Sequence, residues 1–186
     1  MRGEIEASVP SEDVRRSEGI LLAMHIIIDT REQTPWTFPE GVVAEIGTLR
    51  QGDYALKGDG TFCIERKSFA DFRGTVGTSD GWQRFQREMQ RMDVIGNPHK
   101  VIIVECDFAQ FCFHEEESGR IVEPDHDQIG FTPQLACKRI ADLTLYYRAS
   151  VLFAGDASCA AGLAFNILAN RAVQLGGRVF PKDLIK

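Results

Sequence analysis

The sequence predicts an α/β fold, a central mixed sheet flanked by helices, on three observations. Met24-His25-Ile26-Ile27-Ile28 and Val101-Ile102-Ile103-Val104 are compact apolar runs, too short for helices and the right length for buried strands. Between them Trp82, Phe85, Met89 and Met92 recur at helical spacing. After residue 72, helix-like and strand-like segments alternate, the pattern of a layered α/β domain. The 186 residues, 44% of them hydrophobic and 26% charged, suit one domain with a substantial core.

Taken in order, residues 1–23 are polar and aperiodic and predict a flexible lead-in to a domain over 24–176. The first strand ends at Asp29. Asp29-Thr30-Arg31-Glu32, followed by Pro35 and Pro39, reads as a loop, and a second strand spans Val42 to Leu49. Asp59-Gly60 sits between two short β-prone runs, a hairpin signal. Ser68 with Asp71 three residues on has the form of a helix-opening capping box. Gly74, Gly77 and Gly81, among Thr75, Thr78 and Ser79, predict a flexible polar stretch. The helix carrying Trp82 follows, with Arg84, Arg87 and Arg91 mostly opposite its apolar side, and Gly96-Asn97-Pro98 stops it. Residues 107–132 are long, acidic and weakly patterned, which predicts a functional or disordered insertion. Thr132-Pro133 opens a helix as cap and first residue, with Ala136, Ile140, Leu143 and Tyr147 on one face. Val151-Leu152-Phe153 is a short strand. Asp156 to Ser158 cap an Ala-rich helix to about Gln174, ended by Gly176-Gly177, and residues 177–186 form a short basic tail.

The hairpin concentrates the chemistry. With its centre at Asp59, Lys57 meets Thr61, Ala55 meets Cys63 and Asp53 meets Glu65. Directly opposed side chains lie roughly 4.5–5.5 Å apart on one face, and alternation brings Lys67 to that face as well. Two carboxylates and an ammonium then converge. Like charges that close are unfavourable unless a cation or a reaction uses them, so the pattern Asp-x11-Glu-x-Lys points to a metal site. A hard cation such as Mg²⁺ needs only one or two carboxylates when substrate phosphate and water complete its shell. Asp29, at the end of the first strand, is a third candidate, as a ligand or as the holder of a metal-bound water.

Other classes are less favoured. No stretch reaches the ~18 apolar residues of a membrane helix, and the acidic start, with Glu4, Glu6, Glu12 and Asp13, is unlike a secretory signal. The five cysteines are odd in number, scattered and without a C-x-x-C, which predicts reduced thiols in a reducing, intracellular setting. The four histidines show no metal-binding spacing.

Gly52-Asp53 followed by Glu65-Arg66-Lys67-Ser68 and Asp71 resembles the G-D-x(n)-E-R-K-x(3)-D signature of XPF-type structure-specific endonucleases. Asp29-x-Arg31-Glu32 resembles that family's upstream D-x-R-E, and Arg84-Phe85 through Arg91 with Val101–Glu105 resembles its next helix and strand. The resemblance implies a PD-(D/E)XK, restriction-endonuclease-like core that cuts branched or junction-containing DNA, in repair or recombination, with Mg²⁺ or Mn²⁺. By it, Asp53 and Glu65 are metal ligands and Lys67 assists the nucleophile or transition state. Arg66 and Asp71 support the site or touch phosphate, while Asp29, Arg31 and Glu32 border it. Arg84, Arg87 and Arg91 are candidate phosphate contacts. It also implies a homodimer or heterodimer. A catalytically silent DNA- or partner-binding subunit, and a nuclease acting on RNA or on one DNA sequence, are the alternatives. The net charge of −6 does not decide between them, because residues 105–127 alone carry eight acids against Arg120, whereas 128–186 are net basic. The tandem helix-hairpin-helix domain that usually follows the nuclease in this family is not found in these 186 residues.

Overall fold

The structure, a computed structural model, describes residues 24–94, 99–115, 121–122 and 131–176. The expected lead-in, the tail, the stop at 96–98 and much of the acidic stretch lie outside them. In chain order the elements are β1 (His25–Asp29), β2 (Val43–Gly47), β3 (Tyr54–Leu56), β4 (Ile64–Lys67), α1 (Phe69–Gly77), α2 (Ser79–Val94), β5 (Lys100–Val104), α3 (Phe108–Cys112), β6 (His114–Glu115), β7 (Ile121–Val122), α4 (Pro133–Tyr147), β8 (Ala149–Phe153) and α5 (Ala157–Gln174). Six strands make one sheet in the order β2-β1-β3-β4-β5-β8. The β1–β3 and β3–β4 pairs are antiparallel, and the others are parallel. The sheet is therefore mixed, as expected.

Alternation along the strands divides the core in two. Ile102 and Val104 join Phe72, Val76, Trp82, Phe85, Met89, Phe111 and Leu143 on the face covered by α1, α2 and α4. Val101 and Ile103 join Ile26, Ile28, Ile64, Ala160, Ala164 and Leu168 on the face covered by α5. The helix starts follow the sequence. Ser68 Oγ accepts from Asp71 N at 3.1 Å, Thr132 Oγ1 from Leu135 N at 3.0 Å, and Asp156 Oδ1 from Cys159 N at 2.7 Å. Each satisfies an amide that has no partner within its own helix.

Three expectations need correction. First, the glycine-rich stretch is helical. Only Thr78, extended at φ −111°, separates α1 from α2. A β-carbon built on Gly81 would lie 2.4 Å from the Gly74 carbonyl oxygen, so this glycine permits a close helix–helix approach. Second, the pairing expected near the turn, Lys57 with Thr61, does not form, and the strands are joined by a wider loop. β3 ends at Leu56, Lys57 N bonds to His25 O at 2.8 Å, and the positive φ (+83°) is at Gly58. Asp59 is buried and accepts from Thr61 N, Thr61 Oγ1 and Arg171 Nε, which anchors a wide loop to α5. The register is nevertheless the expected one. Tyr54 pairs with Ile64, and one step outward sets Asp53 opposite Glu65. Third, the insertion opens with folded chain, since α3 buries Phe111 and Cys112 in the main core. One turn of helix is too short to show a period in the sequence.

All five cysteines are free. Among the described residues no helix is long and apolar enough to cross a membrane.

Candidate active site

Asp53 owes its position to Gly52. That residue has φ +73°, and a β-carbon there would sit 2.7 Å from Cys63 Sγ, so only glycine fits without strain. The Asp53 amide donates to Ile64 O and its Oδ2 accepts from Arg66 N, both at 2.8 Å. The carboxylate is thereby locked across β4. Glu65 is 5% exposed. Lys67 Nζ donates to Glu65 Oε1 at 2.7 Å, with the ring of Phe85 5.3 Å away. The expected trio is assembled on one face of the sheet.

A fourth charged group joins it. Glu88, on α2, interacts with both Glu65 and Lys67. It was not singled out from the sequence, although its place, three residues after Phe85 and four before Met92, puts it at the border of the apolar stripe. The electrostatics are tense. Burial, then the charge of Glu65, push the Asp53 carboxyl up to about 7. Burial also pushes Glu65 up to about 7; Lys67 opposes that rise and Glu88 adds to it. Burial works against the charge on Lys67, but Glu65 and Glu88 outweigh it and hold the ammonium above its ordinary range. Lys67 is therefore a donor at neutral pH, and the two carboxyls titrate as a pair.

Asp53, Glu65 and Lys67 line a cleft of about 510 Å³ with Arg31, Glu32, Gln33, Thr34, Arg66, Ser68 and Asp71; Glu88 lies outside that lining. Asp71 lies at the rim, engaged by Ser68 Oγ at 2.7 Å. Arg31 faces solvent, its guanidinium paired with Asp29. Arg84, Arg87 and Arg91 are exposed on α2 and do not line the cleft. Arg84 and Arg91 flank Glu88 on the same side of the helix, at spacings of four and three.

Asp29 is placed differently from the ligand expectation. It is fully buried and outside the cleft lining. One oxygen accepts from the Arg31 amide and guanidinium, the other from Leu49 N. Burial opposes its charge, but these donors prevail and hold it below the usual carboxylate range. It fixes the 30–34 loop.

Arg66 points to the opposite side of β4. Nε and Nη2 fork onto the two Glu105 oxygens at 2.8 and 3.0 Å, and Nη1 reaches Glu32 at 2.7 Å and Thr34 at 3.0 Å. Trp36 Nε1 donates to Glu105 at 2.6 Å, its amide donates to Tyr54 Oη at 2.9 Å, and its ring stacks on Tyr54. Sequence reading did not foresee this use of Trp36 and Glu105, because the partners of Arg66 lie 30 to 39 residues away along the chain.

No group of three or more His, Cys, Asp or Glu among the described residues could hold a metal ion. A cation here would rest on Asp53 and Glu65, with substrate and water completing its shell, which is the usual habit of Mg²⁺. The buried Glu65 and the half-buried Asp53 repel each other, a donor set that such a cation would relieve.

Residues 28–167 match the ERCC4 domain. The chain belongs to the ERCC4 domain family. No curated protein matches this ERCC4 domain. Among solved structures it is similar to XPF from Aeropyrum pernix, at a TM-score of 0.56 and 20% identity, over 82% of this chain and 67% of that one. It is equally similar in fold to XPF from Aeropyrum pernix in complex with DNA (TM-score 0.56, 21% identity, 86% and 68% of the two chains). The restriction-endonuclease-like fold is thus shared with the XPF nuclease domain.

Proposed function

We propose that this ERCC4 domain is a metal-dependent endonuclease that hydrolyses phosphodiesters at branched or junction-containing DNA inside the cell. The observation that carries the reading is Asp53 locked opposite Glu65, with Lys67 on the same face at the floor of an open cleft. Asp53 and Glu65 would hold Mg²⁺ or Mn²⁺, and such a cation supplies Lewis acidity toward phosphate and water. Lys67 stays protonated and directs its donors at charge developing on the phosphate oxygens. Asp71 and Arg31, which line the cleft, would orient the strand, with Arg84 and Arg91 meeting more distant phosphates, an interaction weakened by salt. Arg66 and Asp29 serve as supports for the loop and β4. Repair or recombination is the setting that such a substrate implies. Leu145 and Tyr146, 74% and 75% exposed on α4, suit burial against a second subunit.

The test is cleavage of labelled flap, fork and four-way-junction DNA with Mg²⁺, set beside RNA and a linear duplex. Cleavage of the branched DNAs by the wild type, and loss of it in Asp53→Ala and Glu65→Ala, is the expected result. Inactivity of the wild type on all of them, or full activity of either variant, would sink the reading.

A further inference from the structure

A second cavity of about 640 Å³ lies beside the cleft. One wall is the Pro35–Pro39 loop, and the other is the start of α5, with Ala157, Ser158, Ala161 and Gly162. Thr34 and Arg66 line both spaces, so cleft and cavity adjoin. We propose that this cavity receives an unpaired nucleobase from the DNA strand whose phosphate enters the cleft, an inference that rests on the nuclease reading above.

Size, charge and rigidity support that occupant. The volume lies within the ~300–1,000 Å³ range of small-molecule sites. Among the described residues Arg66 is the only charged side chain in the lining, and its Nε, Nη1 and Nη2 are all engaged by Glu105, Glu32 and Thr34. Among the described lining residues no cation is left over for a phosphate, so the neutral part of a nucleotide fits better than its charged part. The loop wall is pre-organised: Trp36 is stacked on Tyr54 at 4.5 Å and pinned at its amide and its indole. The helix wall offers only small side chains, which leaves the space open. A base held in a duplex would have to leave its stack to enter, at a cost of a few kcal/mol that a single strand does not incur. The cavity thereby selects DNA with an unpaired residue next to the scissile phosphate. That is the kind of discrimination a branch-cutting nuclease needs.

Gly162 provides the test, because a β-carbon built there meets nothing within 4 Å. Gly162→Leu fills the cavity from a helix interior, where leucine is the better helix former. Ser158→Phe, from an exposed position on the first turn, is the second filling variant. The probe is a single-stranded oligodeoxynucleotide carrying 2-aminopurine, bound to the full chain in an Asp53→Ala background and compared with a nicked, fully paired duplex. Either filling variant should weaken the strand at least about tenfold and abolish its fluorescence change, while duplex affinity stays within about twofold. Strand affinity equal to that of the unfilled protein overturns the proposal, as does equal weakening of both DNAs. A change in solution mass on filling also overturns it, because the occupant would then be a second copy of the chain. Strand-selective weakening alongside a wild type that cleaves nothing would remove the nuclease reading and leave the base pocket standing.

Discussion

Strand β4 carries Glu65, Arg66 and Lys67 in succession, and its two faces are in opposite electrostatic conditions. On one face Asp53, Glu65 and Glu88 crowd around a single ammonium, and both Asp53 and Glu65 are pushed up to about 7. On the other, Arg66 has a carboxylate or a threonine oxygen on every nitrogen, and Glu105 receives the indole N–H of Trp36 as well. Adjacent residues of one short strand are therefore built for different ends. The satisfied face holds loop and sheet together. The tense face has the arrangement expected where an incoming cation and phosphate complete the site. Removing a charge should have opposite consequences on the two sides.

The largest contrast is expected from Asp53→Asn. Asparagine retains an oxygen for the Arg66 amide but removes one of the two repelling carboxylates. Cleavage should fall roughly 10²–10⁴-fold, the range for groups acting directly in the chemical step. Thermal stability above pH 7 should rise by a few degrees, about the effect of 1 kcal/mol in a domain of this size. A variant that loses both activity and stability would show that Asp53 belongs with the scaffold.

Arg66→Ala should do the reverse. The side chains of Arg66, Glu32 and Glu105 are 14%, 10% and 10% exposed, so the deletion strands two nearly buried carboxylates. Breaking such a network costs roughly 3–5 kcal/mol, measurable by denaturant titration. Cleavage per folded molecule should stay within about tenfold. Arg66→Lys keeps the charge but not the fork, and should recover only part of the loss. A stable Arg66→Ala protein with no activity would move Arg66 into the reacting site.

Acidity and metal sharpen the same contrast. Carboxyls raised in the folded state bind protons more tightly there than in the unfolded chain. The stability they contribute is thus complete below the unfolded value near 4 and is lost as pH rises through about 7. Metal-free protein should melt at progressively lower temperature across that window. Mg²⁺ above pH 7 should restore stability, by about 2.7 kcal/mol at a hundred times its dissociation constant. A melting temperature indifferent to Mg²⁺ at pH 8 would exclude binding at this pair.

Much of this was legible in the sequence, for physical reasons. Strands β1 and β5 announce themselves because a strand covered on both faces reads as a continuous apolar run. Helix α2 does so because its buried residues keep helical spacing. The Asp53–Glu65 register was recoverable because the two strands keep their pairing although the connecting turn is wider than Asp59-Gly60 suggests. The glycines of 74–81 misled, since a glycine that admits a neighbouring backbone looks in sequence like one that loosens the chain. Asp29 also misled. A carboxylate at a strand end near a metal motif has the composition of a ligand, and only its bonds to Leu49 and Arg31 reveal a loop anchor. Arg66, Trp36 and Glu105 form a network across long sequence separations, which leaves no local trace.

Glu88 gives the smallest expected effect and the finest discrimination. It sits against Glu65 on the tense face, yet it is absent from the Asp-x11-Glu-x-Lys pattern. If it acts by sharing Lys67 and pressing on Glu65, Glu88→Gln keeps the shape and relieves the pressure. Glu65 should then return part of the way toward its ordinary range, so the upper end of the pH window for stability loss should move below 7. Activity should fall no more than about tenfold, the low end for residues that act through a neighbour, and Glu88→Ala should cost more than Glu88→Gln because it also removes the polar group that faces Glu65 and Lys67. A simple structural role would lower the melting temperature equally at every pH. An unshifted pH profile in Glu88→Gln would therefore show that the crowding of charge on this face ends at Glu65.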